Sequence, residues 1–151
     1  MSGISLAPSD WLGITFRLSV ALIVGAIIGL ERQIRHKPAG LRTHMLVSLG
    51  SALFVLIPLQ IVTDQESRDA ISRVVQGIAA GVGFLGAGEI LRESQQALSL
   101  SQVRGLTSAA AIWVCAALGI AAGCGLWQMG LIGAVLSLLV LSLLKKFEKH
   151  N

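Results

Sequence analysis

The chain is laid out as five apolar runs, each close to the ~20 residues needed to cross the hydrocarbon core of a bilayer, with short polar breaks between them. The runs cover residues 11–30, 43–62, 70–91, 105–123 and 126–144. A backbone in lipid must satisfy its own hydrogen bonds, and runs of this length do so as helices. Composition agrees: 54% of the 151 residues are apolar and 13% charged, too little polar surface for a soluble body of this size. The expected fold is all-α, a polytopic membrane helix bundle of about five transmembrane helices. Residues 1–10 would form a short outer segment, 11–144 the transmembrane domain and 145–151 a basic tail. No Lys or Arg precedes the first run, so no secretory signal is expected and that run should stay as an anchor.

The first break is the stretch 36–44, His-Lys-Pro-Ala-Gly-Leu-Arg-Thr-His. Lys37, Pro38 and Gly40 stop a helix and add charge, so the chain should reverse there. Five spans put the termini on opposite sides. One side then receives nine bases: Arg32, Arg35, Lys37, Arg42, Arg92, Arg104, Lys145, Lys146 and Lys149. The other receives Arg68 and Arg73, with Arg17 buried toward it. Positive charge collects on the cytoplasmic side, which places the N-terminus outside and the C-terminus in the cytoplasm. Trp11 and Trp127 then sit at the outer boundary, where indole rings are favoured. The net charge of +4 is thus a matter of orientation and does not call for nucleic acid as a partner.

Helices in lipid associate through close backbone contact, so small residues are informative. Gly25 and Gly29, Gly77 and Gly81, and Gly119 and Gly123 share the small-xxx-small spacing. The third run adds Gly88 to the Gly77 and Gly81 stripe, and a second stripe of Ala80, Gly83 and Ala87. It is expected to be the central helix, packed on at least two sides. A rival reading lets the run 81–88 break the helix or admit a ligand to its backbone, as in transporters. The glycine faces could also join copies into a homo-oligomer.

The two breaks on the basic side echo each other. Glu31-Arg32 is followed by Gly40-Leu41-Arg42-Thr43; Glu89 and Arg92 are followed by Arg104-Gly105-Leu106-Thr107. Two repeated helical hairpins plus one helix would account for this. So would chance similarity among capping residues, with Thr43 and Thr107 as N-caps.

Charge at membrane depth is costly and marks the candidate site. Glu31, Glu89, Arg42 and Arg104 could meet in one pocket if the hairpins pack side by side. Equally, Glu31 could pair with Arg35 and Glu89 with Arg92 along their own helices. Arg17 is expected to snorkel outward or to pair with Asp10 or Asp69. Two carboxylates among nine bases make a poor divalent-cation site, and suit an anionic partner: a lipid headgroup, a phosphate or an acidic protein surface. The hypothetical binding cluster is Glu31, Arg32, Lys37, Arg42, Thr43, Glu89, Arg92, Arg104 and Thr107. His36 and His44 are too few for a metal site and are read as boundary residues. Cys115 and Cys124, nine residues apart on one expected helix, lie roughly 180° apart around it and cannot bridge. No catalytic constellation and no cofactor motif is recognisable.

Four motifs carry a resemblance: Gly-Leu-Glu-Arg-Gln at 29–33, Lys-Pro-Ala-Gly-Leu-Arg-Thr-His at 37–44, Gly-Val-Gly-Phe-Leu-Gly-Ala-Gly at 81–88 and Val-Arg-Gly-Leu-Thr-Ser-Ala-Ala at 103–110. In order and spacing they resemble the MgtC/SapB family over roughly residues 15–140. The resemblance implies a non-enzymatic protein of the bacterial inner membrane, adaptation to low magnesium, and survival of intracellular pathogens in macrophages. For some members it implies restraint of the membrane ATP synthase, which becomes the expected partner beside membrane lipids. The runner-up is a small oligomeric transporter or channel for an ion such as Mg²⁺ or a small solute. Two departures are visible: the chain stops at Asn151, where many members continue into a soluble domain, and Glu89 stands where the family usually has an uncharged residue.

Overall fold

A computed structural model describes residues 10–61, 64–95 and 104–148. Among them the chain forms five helices: α1 (Trp11–Ile34), α2 (Leu41–Ile61), α3 (Asp64–Gln95), α4 (Leu106–Gly123) and α5 (Trp127–Glu148). Helices α1 to α4 each hold a stretch long and apolar enough to cross a membrane. In α5 the stretch Trp127–Ser142 is apolar, within a helix of 22 residues that extends ~33 Å.

Local chemistry sets the helix ends. Asp10 caps α1, its carboxylate accepting from the Gly13 amide at 2.8 Å. The α1–α2 turn begins with His36, a non-glycine residue in the left-handed region at φ 53°. Gly105, at φ 88°, precedes α4. At the other end of α4, Gly125 at φ 80° lets its own amide reach Ala122 O and that of Leu126 reach Ala121 O, each at 2.9 Å. This pair of bonds closes the helix as a Schellman motif. The reversal expected at 36–44 and the break expected between the fourth and fifth runs are therefore present. Helix α3 runs further than the apolar run 70–91, because its polar first turns continue the helix beyond the apolar stretch.

The centre of the bundle is α2, held between α1 and α4 by glycines. A Cβ on Gly25 would lie 2.8 Å from the His44 carbonyl, and one on Gly29 2.8 Å from Leu41 Cα. From the opposite side, a Cβ on Gly119 would run into the Ser48 carbonyl, and one on Gly123 would come 2.8 Å from the Ala52 carbonyl. Ser48 adds a polar tie, donating to Ala21 O at 2.7 Å. Around these contacts two apolar clusters form, one with Val24, Ile28, Ala52 and Ala122, the other with Val55, Ile78, Val82 and Ile112.

Helix α3 is not the central helix that its glycines led one to expect. It leans on α2 and α4 through Ile78, Val82 and Gly86, a stripe at helical spacing. The stripes expected to pack make no close contact: Gly77 and Gly81 line a groove between α3 and α2, and they, Gly83 and Gly88 have nothing within 4 Å of an added Cβ. Ala80 and Ala87 are likewise exposed. The central position goes instead to α2 and to α4, which touches all four other helices.

Candidate functional site

The α1–α2 turn and the start of α4 lie side by side at one end of the bundle. Between them is a cleft of about 660 Å³, lined by His36, Lys37 and Pro38 from the turn, Glu93 from α3, and residues 104–108 leading into α4. The two basic breaks of the sequence thus meet in space. Their walls are built by short-range bonds. In the first turn the amides of Arg35, His36 and Lys37 donate to Glu31 O, Gln33 O and Arg32 O at 3.0–3.1 Å. The Gln33 side chain reaches across to accept from the Leu41 amide at 3.3 Å. In the second, the Arg104 amide donates to Ser94 Oγ at 3.2 Å, and Ser108 Oγ donates to Glu93 Oε1 at 3.1 Å. Glu93, the carboxylate among the residues lining the cleft, accepts this bond through one of its two oxygens.

The four charges do not gather into one pocket. Glu31 is taken by two bases of its own helix: Arg32 Nε lies 2.6 Å from Oε2, and Arg35 pairs with Oε1. The i, i+4 pairing with Arg35 read as the local alternative is thus the one formed. Arg42 is exposed at the start of α2, and Arg104 lies on the cleft. Glu89 is 9% exposed, and its Oε1 has no hydrogen-bond partner among the described residues. Its pairing with Arg92 is absent among the described ion pairs; Arg92 is exposed. Thr43 and Thr107 do not cap their helices. They sit inside the first turns, after Gly40 and Gly105, and both are exposed.

Arg17 is buried and does not stand alone in the apolar layer. Its Nη1 donates to Gly123 O at 2.9 Å, placing a cation on the carbonyl end of α4, with Asp10 in electrostatic reach. The neighbouring Cys124 thiol is pushed up by burial, and the Arg17 cation opposes that shift. Cys115 and Cys124 are both free thiols.

One residue read as a boundary residue is also buried inside the bundle, in the first turn of α2. His44 is fully buried, and its Nδ1 lies 2.9 Å from Gly40 O. A carbonyl only accepts, so Nδ1 carries the hydrogen. The same carbonyl receives the His44 amide at 3.2 Å, while the His44 carbonyl accepts from Cys115 Sγ at 3.1 Å. Glu31 and Arg32 stand within electrostatic reach of the ring. His44 therefore ties the basic turn to the α1–α2–α4 core. Its signal in the sequence was the spacing of 44, 48, 51 and 55, all buried on one face of α2.

Comparison with known proteins gives this arrangement a context. The MgtC family profile matches residues 18–150. Protein SrpB of Synechococcus elongatus is 52% identical over 99% of the chain and 84% of its own length. A protein of Escherichia coli K12 named putative magnesium transporter YhiD is 45% identical over 83% of the chain. Protein MgtC of Salmonella typhimurium is 39% identical over 85%. The chain spans only 57% of YhiD and 51% of MgtC. No solved structure matches it. With its profile match running from the second turn of α1 to the end of the described α5, the chain is a membrane protein that belongs to the MgtC family.

Proposed function

We propose that the chain is a non-enzymatic regulator of the bacterial inner membrane, its N-terminus outside and its C-terminus in the cytoplasm. It would serve adaptation to low magnesium by modulating the ATP synthase through its basic end. The observation that carries this reading is the meeting of the two basic turns at one end of the bundle, where Lys37 and Arg104 line a common cleft and Arg42 stands exposed beside them in sequence. Cations gathered on a membrane-parallel face attract an acidic partner and set its orientation. The magnesium in the name of the relative YhiD supports the magnesium link.

The name carried by YhiD favours a second reading, an ion transporter. Against it, α1 bears no charge between Arg17 and Glu31, and α3 none between Arg73 and Glu89, which leaves the middle of both helices without a polar path.

Three experiments separate these readings. Arg42→Ala should insert normally yet fail to complement growth under magnesium starvation; full complementation would count against the surface. Crosslinking in native membranes followed by purification should recover the ATP synthase with the wild type and much less with Arg42→Ala. Mg²⁺ flux into liposomes above an empty-vesicle control would instead establish the transporter.

A further inference from the structure

We propose that the cleft at the basic end is the headgroup half of a specific site for an anionic phospholipid of the surrounding leaflet. The geometry that carries this is the adjacency of two cavities of opposite character, which meet at shared lining residues. The basic cleft shares Leu106 and Thr107 with a second cavity of about 500 Å³, a groove whose walls include Ile28, Ala110, Val114, Leu136 and Val140. From Leu106 to Val114 the groove follows α4 toward the middle of the bundle for ~12 Å, within the reach of an acyl chain. Its other wall is α5, on the bundle's outside. An amphiphile with a negative head and an apolar tail fits both halves at once; an acidic protein surface or a free anion fills only the first.

Charge favours a phosphodiester head. Lys37 and Arg104 come from different turns and face the same cleft, with His36 beside them. Glu93, the acid in that wall, already accepts from Ser108 Oγ at 3.1 Å. The first turn of α4 opens into the cleft, and no side chain of Gly105 occupies its amides, which adds to the attraction without carrying it. The site lies where the basic residues end and the apolar groove begins, the level at which lipid phosphates meet juxtamembrane bases. This inference concerns the same cleft that carries the regulatory reading, but its ligand is the bilayer itself and its test needs no protein partner.

The test uses the purified full chain in detergent. Native mass spectrometry and thermal unfolding are followed with phosphatidylglycerol and with phosphatidylethanolamine of the same chains. Phosphatidylglycerol should bind more tightly and raise the unfolding temperature more. Each base removed should cost about fivefold, so Lys37→Ala with Arg104→Ala should lose about 25-fold and fall to the phosphatidylethanolamine level. Ala110→Phe, which fills the groove from an exposed position, should weaken phosphatidylglycerol several-fold. Arg73→Ala, an exposed base elsewhere on α3, should change it less than twofold. Size exclusion and helical circular dichroism check folding, and Lys37→Gln alone replaces the double variant if that variant does not hold together. Equal affinity for the two lipids would overturn the proposal, as would unchanged binding by the cleft variants. Full displacement of the lipid by millimolar inorganic phosphate would assign the cleft to a free anion instead.

Discussion

A methyl group added at Gly119 would run into the Ser48 carbonyl and come to 2.8 Å from Ser48 Cα, whereas one added at Gly83 meets nothing within 4 Å. Gly119→Ala should therefore destabilise the bundle by about 1–3 kcal/mol, since the obstacle is backbone and cannot rotate away. Gly83→Ala should be neutral or stabilising by up to about 1 kcal/mol through helix propensity. Unfolding in a denaturing detergent series reads both. The thiol at the α4–α5 turn allows a pH test. Because burial holds the Cys124 thiolate back, its maleimide labelling rate should go on rising above pH 9.0, the ordinary midpoint, where an exposed thiol would level off. At this scale the sequence was legible where a residue changes the backbone, as at Pro38, Gly40 and Gly125. It was faint for His44 and Ser48, whose one signal was their shared spacing, and absent for Ser108, because a helix apolar all round offers no polar face against which a buried polar residue stands out.

Among the elements, α1, α2 and α4 were foreseeable in length and in their close glycine contacts, and α3 was foreseeable in existence but not in position. The reason is physical. Small residues permit close approach but do not name the neighbour, so Gly77 and Gly81 look like Gly25 and Gly29 until the partner helix is seen. The stripe that does seat α3 is Ile78 and Val82, which an apolar run conceals. The end of α4 gives an element-scale prediction. Arg17→Met keeps the apolar stem and removes the bond to Gly123 O, which should cost about 1.5–3 kcal/mol as a charged buried hydrogen bond. Hydrogen exchange should speed up at the amides of Gly125 and Leu126, which close that helix, before it changes in the middle of α4.

For the whole molecule, sidedness is the property that turns a bundle into a directional device. Thr43 and Gln128 are both exposed, one near the basic cleft and the other at the start of α5 beyond the opposite end of α4. Cysteines placed at these two positions should label from opposite sides of sealed vesicles, Thr43→Cys only when the cytoplasmic face is open. Labelling of both from one side would remove the orientation inferred from the bases. One consequence follows from α2 being clasped by glycines on both sides. The ribosome releases α1, α2 and α3 before α4 exists, so the backbone of Ser48 and Ala52 waits uncovered until the fourth helix arrives and locks the assembly. A nascent chain stalled before residue 106 should therefore be inserted yet unfinished, and short-lived wherever membrane proteases patrol for incomplete bundles.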